Sequence, residues 1–166
     1  MAKVTHAYEY KDVYVSLLKY LGEVAQRIAA KYSIPAPTVC NLDSYPDMAK
    51  LPEGDIIFVA DWTLEVDGNS YGDTHNLLIG FGVVNDPNLM KMETQFINEL
   101  MLDLAKRKPC RTVIDIVKED GTSAVGTLVF SDDYETMSPK VLNSKIFKSV
   151  MVTLLSPQRL IDKTSG

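Results

Sequence analysis

Histidine and cysteine are nearly absent from this chain, with two of each in 166 residues. Cys40 and Cys110 lie far apart, with no CxxC spacing and no second pair. The expectation is therefore two reduced, partly buried thiols, without a disulfide framework. His6 and His75 are the only histidines. Asp73-x-His75, with Asp67 close by, is the nearest thing to a metal-binding group. It lies in a Gly- and Asn-rich stretch, where such residues serve turns, and no metal is expected. A Ser–His–Asp triad would have to use one of these histidines, and no G-x-S-x-G elbow is present. A catalytic cysteine would need a base that the sequence does not identify. Gly80-Phe81-Gly82 lacks the third glycine and the helix start of a dinucleotide loop, and no G-x-x-x-x-G-K-[ST] occurs. No catalytic residue and no cofactor is expected, and the chain reads as a non-enzyme.

Other absences narrow the class further. No apolar run approaches the roughly 20 residues needed to cross a bilayer. The first residues lack the basic-then-apolar layout of a signal peptide. Lys and Arg number 17 against 22 Asp and Glu, a net charge of −5, which disfavours general nucleic-acid binding. A soluble protein made in a cytoplasm is expected.

What is present is ordinary in composition, 46% hydrophobic and 23% charged, and its pattern predicts a single domain over residues 1–166. The first few residues and the tail 157–166 are expected to be loosely held. Leu17, Leu18, Leu21, Val24, Ala25, Ile28 and Tyr32 recur at helical spacing. They predict a helix starting near Tyr10 to Asp12 and running to Tyr32, stopped by Pro35 and Pro37. Tyr8, Tyr10, Tyr14 and Tyr20 crowd its front and cannot all point into one core. Residues 33–54 read as a long surface crossing with a short strand around 38–42. Strands are predicted over 55–66 and 77–84, joined by an Asp67-Gly68 turn. In the first, Ile56, Phe58, Ala60, Trp62, Leu64 and Val66 are expected on one face. In the second, Gly80 and Gly82 leave room for a helix or a neighbouring chain to approach.

Asp86 suits a helix N-cap and Pro87 the first helical position. Leu89, Met92, Phe96, Leu100 and Leu104 continue that second helix to Lys106, Arg107 and Lys108. This basic run complements the helix dipole. Strands follow over 111–117, 124–130 and 146–155, the first two joined by Asp120-Gly121. The acidic stretch 131–144 reads as a mobile loop. The expected fold class is α+β: a mostly antiparallel sheet of about five strands packed with two main helices, in the order helix, two strands, helix, three strands.

That layout and size resemble the phage tail-terminator (tail-completion) proteins. The likeness rests on the N-terminal helix, the Pro-rich crossing, the 55–84 hairpin, the Asp86-Pro87 helix, the 111–130 hairpin and the closing strand. The resemblance implies a structural virion protein in the tail or neck: a homo-hexameric ring that caps the tail tube and offers a surface to the head connector. Its partners would be the tail tube protein, in some tails the sheath, and the head–neck connector protein, with no catalytic residues carried over. The candidate interface is the 67–76 turn, with Asp67, Asn69, Tyr71 and Asp73, and the acidic loop with Asp132, Asp133, Tyr134 and Glu135. Two other readings stay open: another neck, tail-joining or tube-like protein, and a small-molecule-binding domain or enzyme of a different kind.

Overall fold

The computed structural model describes residues 8, 10–47, 50–68, 72–84, 113–117, 124–138, 140–142 and 145–157. Helix α1 (Tyr10–Tyr32) forms where the periodicity predicts it. Val13, Leu17, Leu21, Val24, Ala25 and Ile28 make its buried stripe, while Lys11, Lys19, Glu23, Gln26 and Arg27 face outward. The helix stops before either proline. Ser33 turns left-handed (φ 53°), and the Ile34 N–H reaches back to the Ala29 carbonyl oxygen at 3.1 Å. This is a Schellman cap, and Ile34 packs on the core as that motif favours.

The strands are β1 (Thr38–Asn41), β2 (Ile56–Glu65), β3 (Gly72–Val84), β4 (Val113–Val117), β5 (Ala124–Thr136), β6 (Lys140–Leu142) and β7 (Lys145–Pro157). Their order across the sheet is β1-β2-β3-β7-β5-β4, with β6 beside the start of β7. β1 and β2 are parallel, and the remaining pairs are antiparallel.

Two strands outrun their expected ends. β3 begins at Gly72, so residues 72–76 are ladder rather than turn. β5 continues to Thr136 and β6 follows, so much of the expected acidic loop is paired sheet. The cause is β7, whose 13 residues offer an edge to both. It pairs with β3 from Gly72↔Pro157 to Val84↔Lys145, and its other edge takes β6 and then β5. Cross-strand context overrides the polar composition.

These pairings overturn the expected fold class. In place of about five strands packed with two helices, the described residues form mostly sheet, seven strands with one helix, curled into a half-barrel. The physical reason lies in α1. It contacts both terminal strands, β1 and β4, and its stripe joins buried residues of β2, β3, β4, β5 and β7 in one cluster. A single helix fills the hollow while the sheet curves around it. The expected helix over 86–108, Cys110, His6, the Asp120-Gly121 turn and the tail beyond 157 lie outside the described residues.

On the opposite face, Phe58 and Phe147 meet edge to face at 5.7 Å over the two β3 glycines. A Cβ on Gly80 would lie 2.6 Å from Phe58 Cζ, and one on Gly82 would lie 3.0 Å from Phe147 Cε1. The room left by the glycines is taken by this chain's own rings, not by a helix or a neighbouring chain. Cys40, Leu51, Ile56 and Ala60 complete this second cluster. Lys145 Nζ donates to the Pro52 carbonyl oxygen and fastens the cover to β7. Burial pushes the Cys40 thiol up and the Lys145 ammonium down from their ordinary values. Leu78, at the margin of this cover, stays half-buried, as do Val129, Met151 and Leu155 beyond it. The cross-strand pairs Leu78↔Met151 and Val129↔Leu155 place them on one continuous face.

Candidate functional site

β2 does not hold its alternation. Asp61 adopts a left-handed conformation (φ 52°), and the register slips by one residue between Ala60↔Leu78 and Thr63↔Asn76. This is a β-bulge, which re-aims the residues that follow it. Ile56, Phe58 and Ala60 stay on the outer face, but Trp62 crosses over to pack against the helix-side cluster. The expected single face from Ile56 to Val66 is therefore split in two. Periodicity could not show this, because a single inserted residue inverts the parity of everything after it.

Trp62 lands among the aromatic residues at the front of α1. Its ring meets Tyr10 at 5.5 Å and 68°, Tyr14 at 5.8 Å and 44°, and His75 at 5.9 Å and 84°. Tyr10 also stacks on His75 at 6.3 Å. Tyr10 is 39% exposed, and Tyr14 and Trp62 are half-buried. The Asp43 carboxylate stands beside this ledge, and Asp61 directly precedes Trp62 in the strand. Asp43 accepts a hydrogen bond from the Asp61 N–H at 3.0 Å, and both residues are exposed. Burial first, then the nearby Tyr14 and Asp43, holds the Tyr10 phenol above its ordinary value.

Beneath the ledge runs a buried polar relay. The Trp62 indole N–H donates to His75 Nδ1 at 3.1 Å, and His75 Nε2 lies 2.9 Å from Ser156 Oγ. The Tyr8 hydroxyl sits 3.1 Å from Ser156 Oγ and donates to the Pro157 carbonyl oxygen. An indole N–H can only donate, so Nδ1 holds a lone pair and the imidazole proton is on Nε2. Nε2–H thus points at Ser156. With the Tyr8 proton committed to Pro157, the Ser156 hydroxyl supplies the hydrogen between the two oxygens. A nucleophile pair needs the reverse, with Nε2 accepting the serine proton. His75 is 1% and Ser156 0% exposed. The relay anchors Tyr8 and the start of α1 to the end of β7, and it does not present a nucleophile.

The structure separates the candidate interface residues. Asp67 is exposed in a left-handed turn, and its N–H donates to Asp73 Oδ1 at 2.9 Å. Asp73 is only 2% exposed, so its carboxylate closes the turn and is not offered to a partner. Asn69 and Tyr71 lie outside the described residues. Asp132 and Asp133 fall in β5 at a break in the register between Phe130↔Leu154 and Tyr134↔Val152. Tyr134 is 56% exposed, and Glu135 is exposed beside it. β7 lies between the two groups, with β3 on one edge and β5 on the other.

Sequence reasoning did not find the Trp62–His75–Ser156 arrangement, because its members are distant in sequence and the bulge that joins them has no motif. Tyrosine crowding at the front of α1 was the one available signal. A shallow cleft lies between α1 and β4, lined by Ser16, Lys19, Tyr20, Glu23, Ile114, Asp115 and Val117. There the Ser16 hydroxyl accepts from the Val117 N–H at 2.9 Å and donates to the Asp12 carbonyl oxygen at 2.6 Å. It satisfies one N–H at the end of β4 and is not free for chemistry. Among the described residues, no group of three or more His, Cys, Asp or Glu is placed to hold a metal ion. No family model matches the chain, nor does any curated protein or solved structure.

Proposed function

We propose that this chain is a structural subunit that assembles with copies of itself, in the manner of the phage tail terminators it resembles. In that role it forms a ring on the end of the tail tube and provides the surface for head attachment. One observation carries the reading: the sheet is covered unequally. Among the described residues, α1 fills one face, while the outer face is roofed at the β1–β2–β3 end and the start of β7, leaving Leu78, Val129, Met151 and Leu155 half-buried on that face. Two apolar pairs on one face, with the hydrogen-bonded Asn76 and Thr153 between them, suit a subunit contact that mixes apolar and polar groups. The terminal strands β1 and β4 flank it on two sides of the subunit, as a head-to-tail ring contact requires.

The test is light scattering over a wide concentration range, followed by electron microscopy of tail tubes with the protein added. Rings in solution, or a disc of extra density at one tube end, is the expected result. A protein that stays monomeric and leaves tube ends bare would remove this reading.

A further inference from the structure

We propose that the Tyr10–Tyr14–Trp62 ledge, rimmed by Asp43 and Asp61, receives a basic side chain from the Lys106–Arg107–Lys108 run of a neighbouring copy. This rests on the ring reading above and names one of its contacts. Three aromatic rings, each partly exposed, share one surface. Their faces carry the negative lobe of the ring quadrupole and attract cations. The Asp61 N–H holds Asp43 in place at 3.0 Å, so a carboxylate stands at the edge of the same surface. Asp43 is near enough to Tyr10 to influence its ionisation. A cation docked there gains a ring face and an ion pair at once.

The occupant follows from charge. The chain is net acidic at −5, and Lys106-Arg107-Lys108 is its only run of consecutive basic residues. An arginine flanked by lysines fits such a ledge, because a planar guanidinium stacks on an aromatic face while donating to a carboxylate. The donor run and the acceptor ledge are different segments of the chain. Each copy can therefore give its run to one neighbour and receive a run from another, the arrangement that a closed ring uses.

Trp62 is the only tryptophan, so its fluorescence reports on the ledge alone. The first arm titrates a capped peptide of residues 102–109 into the full chain at constant ionic strength. A saturable change in Trp62 emission is expected, absent for a peptide with all three basic residues replaced by Glu. The D43N/D61N double variant, which keeps the bulge geometry, should bind about fivefold or more weakly, the loss of one exposed charge contact of this size. No saturable change, or equal binding by the neutralised variant, overturns the proposal.

The second arm measures assembly of the full chain. K106E/R107E/K108E should fail to assemble, and combining it with D43K/D61K should restore assembly. Assembly unaffected by either set overturns this contact and leaves the ring reading intact. A wild type that never assembles overturns the ring and the neighbouring copy as occupant, whatever the peptide does.

Discussion

The two halves of β2 obey different rules. From Ile56 to Ala60 every residue is buried, because α1 covers one face and the Phe58–Phe147 cluster covers the other. From Asp61 to Glu65 exposed and half-buried residues alternate, and the strand is held by rings and a polar relay in place of a two-sided core. One left-handed residue, Asp61, divides them. Dense packing thus fixes the strand in the sheet, while the bulge frees its far end to present Trp62 beside α1. The half that gives the fold its rigidity and the half available for recognition are adjacent segments of one strand.

The contrast predicts unequal costs of truncation. Phe58→Ala should lose about 3–5 kcal/mol, the usual cost of emptying a buried aromatic site. Leu64→Ala, beyond the bulge and half-buried, should lose under about 1 kcal/mol. Urea unfolding of the two variants measures this directly, and equal losses would erase the distinction.

Next in size is the relay. Ser156→Ala removes the oxygen facing His75 Nε2 and Tyr8 and should cost about 1–3 kcal/mol by stranding a buried donor. Tyr8→Phe should cost less, because the hydroxyl lies at the end of the chain. The double variant should fall short of additivity by about 0.5 kcal/mol or more. Strict additivity would mean that the four groups do not act as one unit.

Smaller again is the backbone effect at Asp61. Valine resists the left-handed conformation, so Asp61→Val should cost about 1–2 kcal/mol and shift Trp62 emission as the bulge relaxes. Asp61→Gly should stay within about 0.5 kcal/mol of wild type, since relief of strain offsets the greater freedom of the unfolded chain. If the valine variant retains both stability and the emission spectrum, the bulge is not what directs Trp62.

Local signals made α1 legible to within a residue, along with the short β1 and the cores of β2, β3, β4, β5 and β7. The boundaries that failed share a cause. Residues 72–76 and 131–136 look like loops because their composition is polar, yet they lie within reach of a 13-residue β7 that pairs with them. Length in a distant strand is invisible to a local window. The curl was equally hidden, because α1 touching both β1 and β4 is a statement about closure that no periodicity encodes. Of the candidate site, the tyrosines were visible as a surplus, Asp73 was misjudged as a surface group, and the ledge depended on one φ angle.

The finest difference between the halves is electrostatic. Tyr10 keeps its proton above its ordinary value of 10.0, mainly through burial and then through Tyr14 and Asp43. From about pH 10 upward the unfolded chain releases a proton that the native chain retains. The native state then binds more protons than the unfolded one, so stability falls as pH rises until Tyr10 ionises in the fold as well. Asp43→Asn removes one of the three causes. It should bring the Tyr10 phenolate transition to lower pH, narrowing that window from above and reducing the total loss, while Tyr10→Phe should abolish this contribution. Phenolate absorbance against pH, with unfolding measured in the same buffers, reads both effects. An Asp43→Asn chain that titrates like wild type would mean that the carboxylate does not act on the ring, and the ledge would lose its acidic rim.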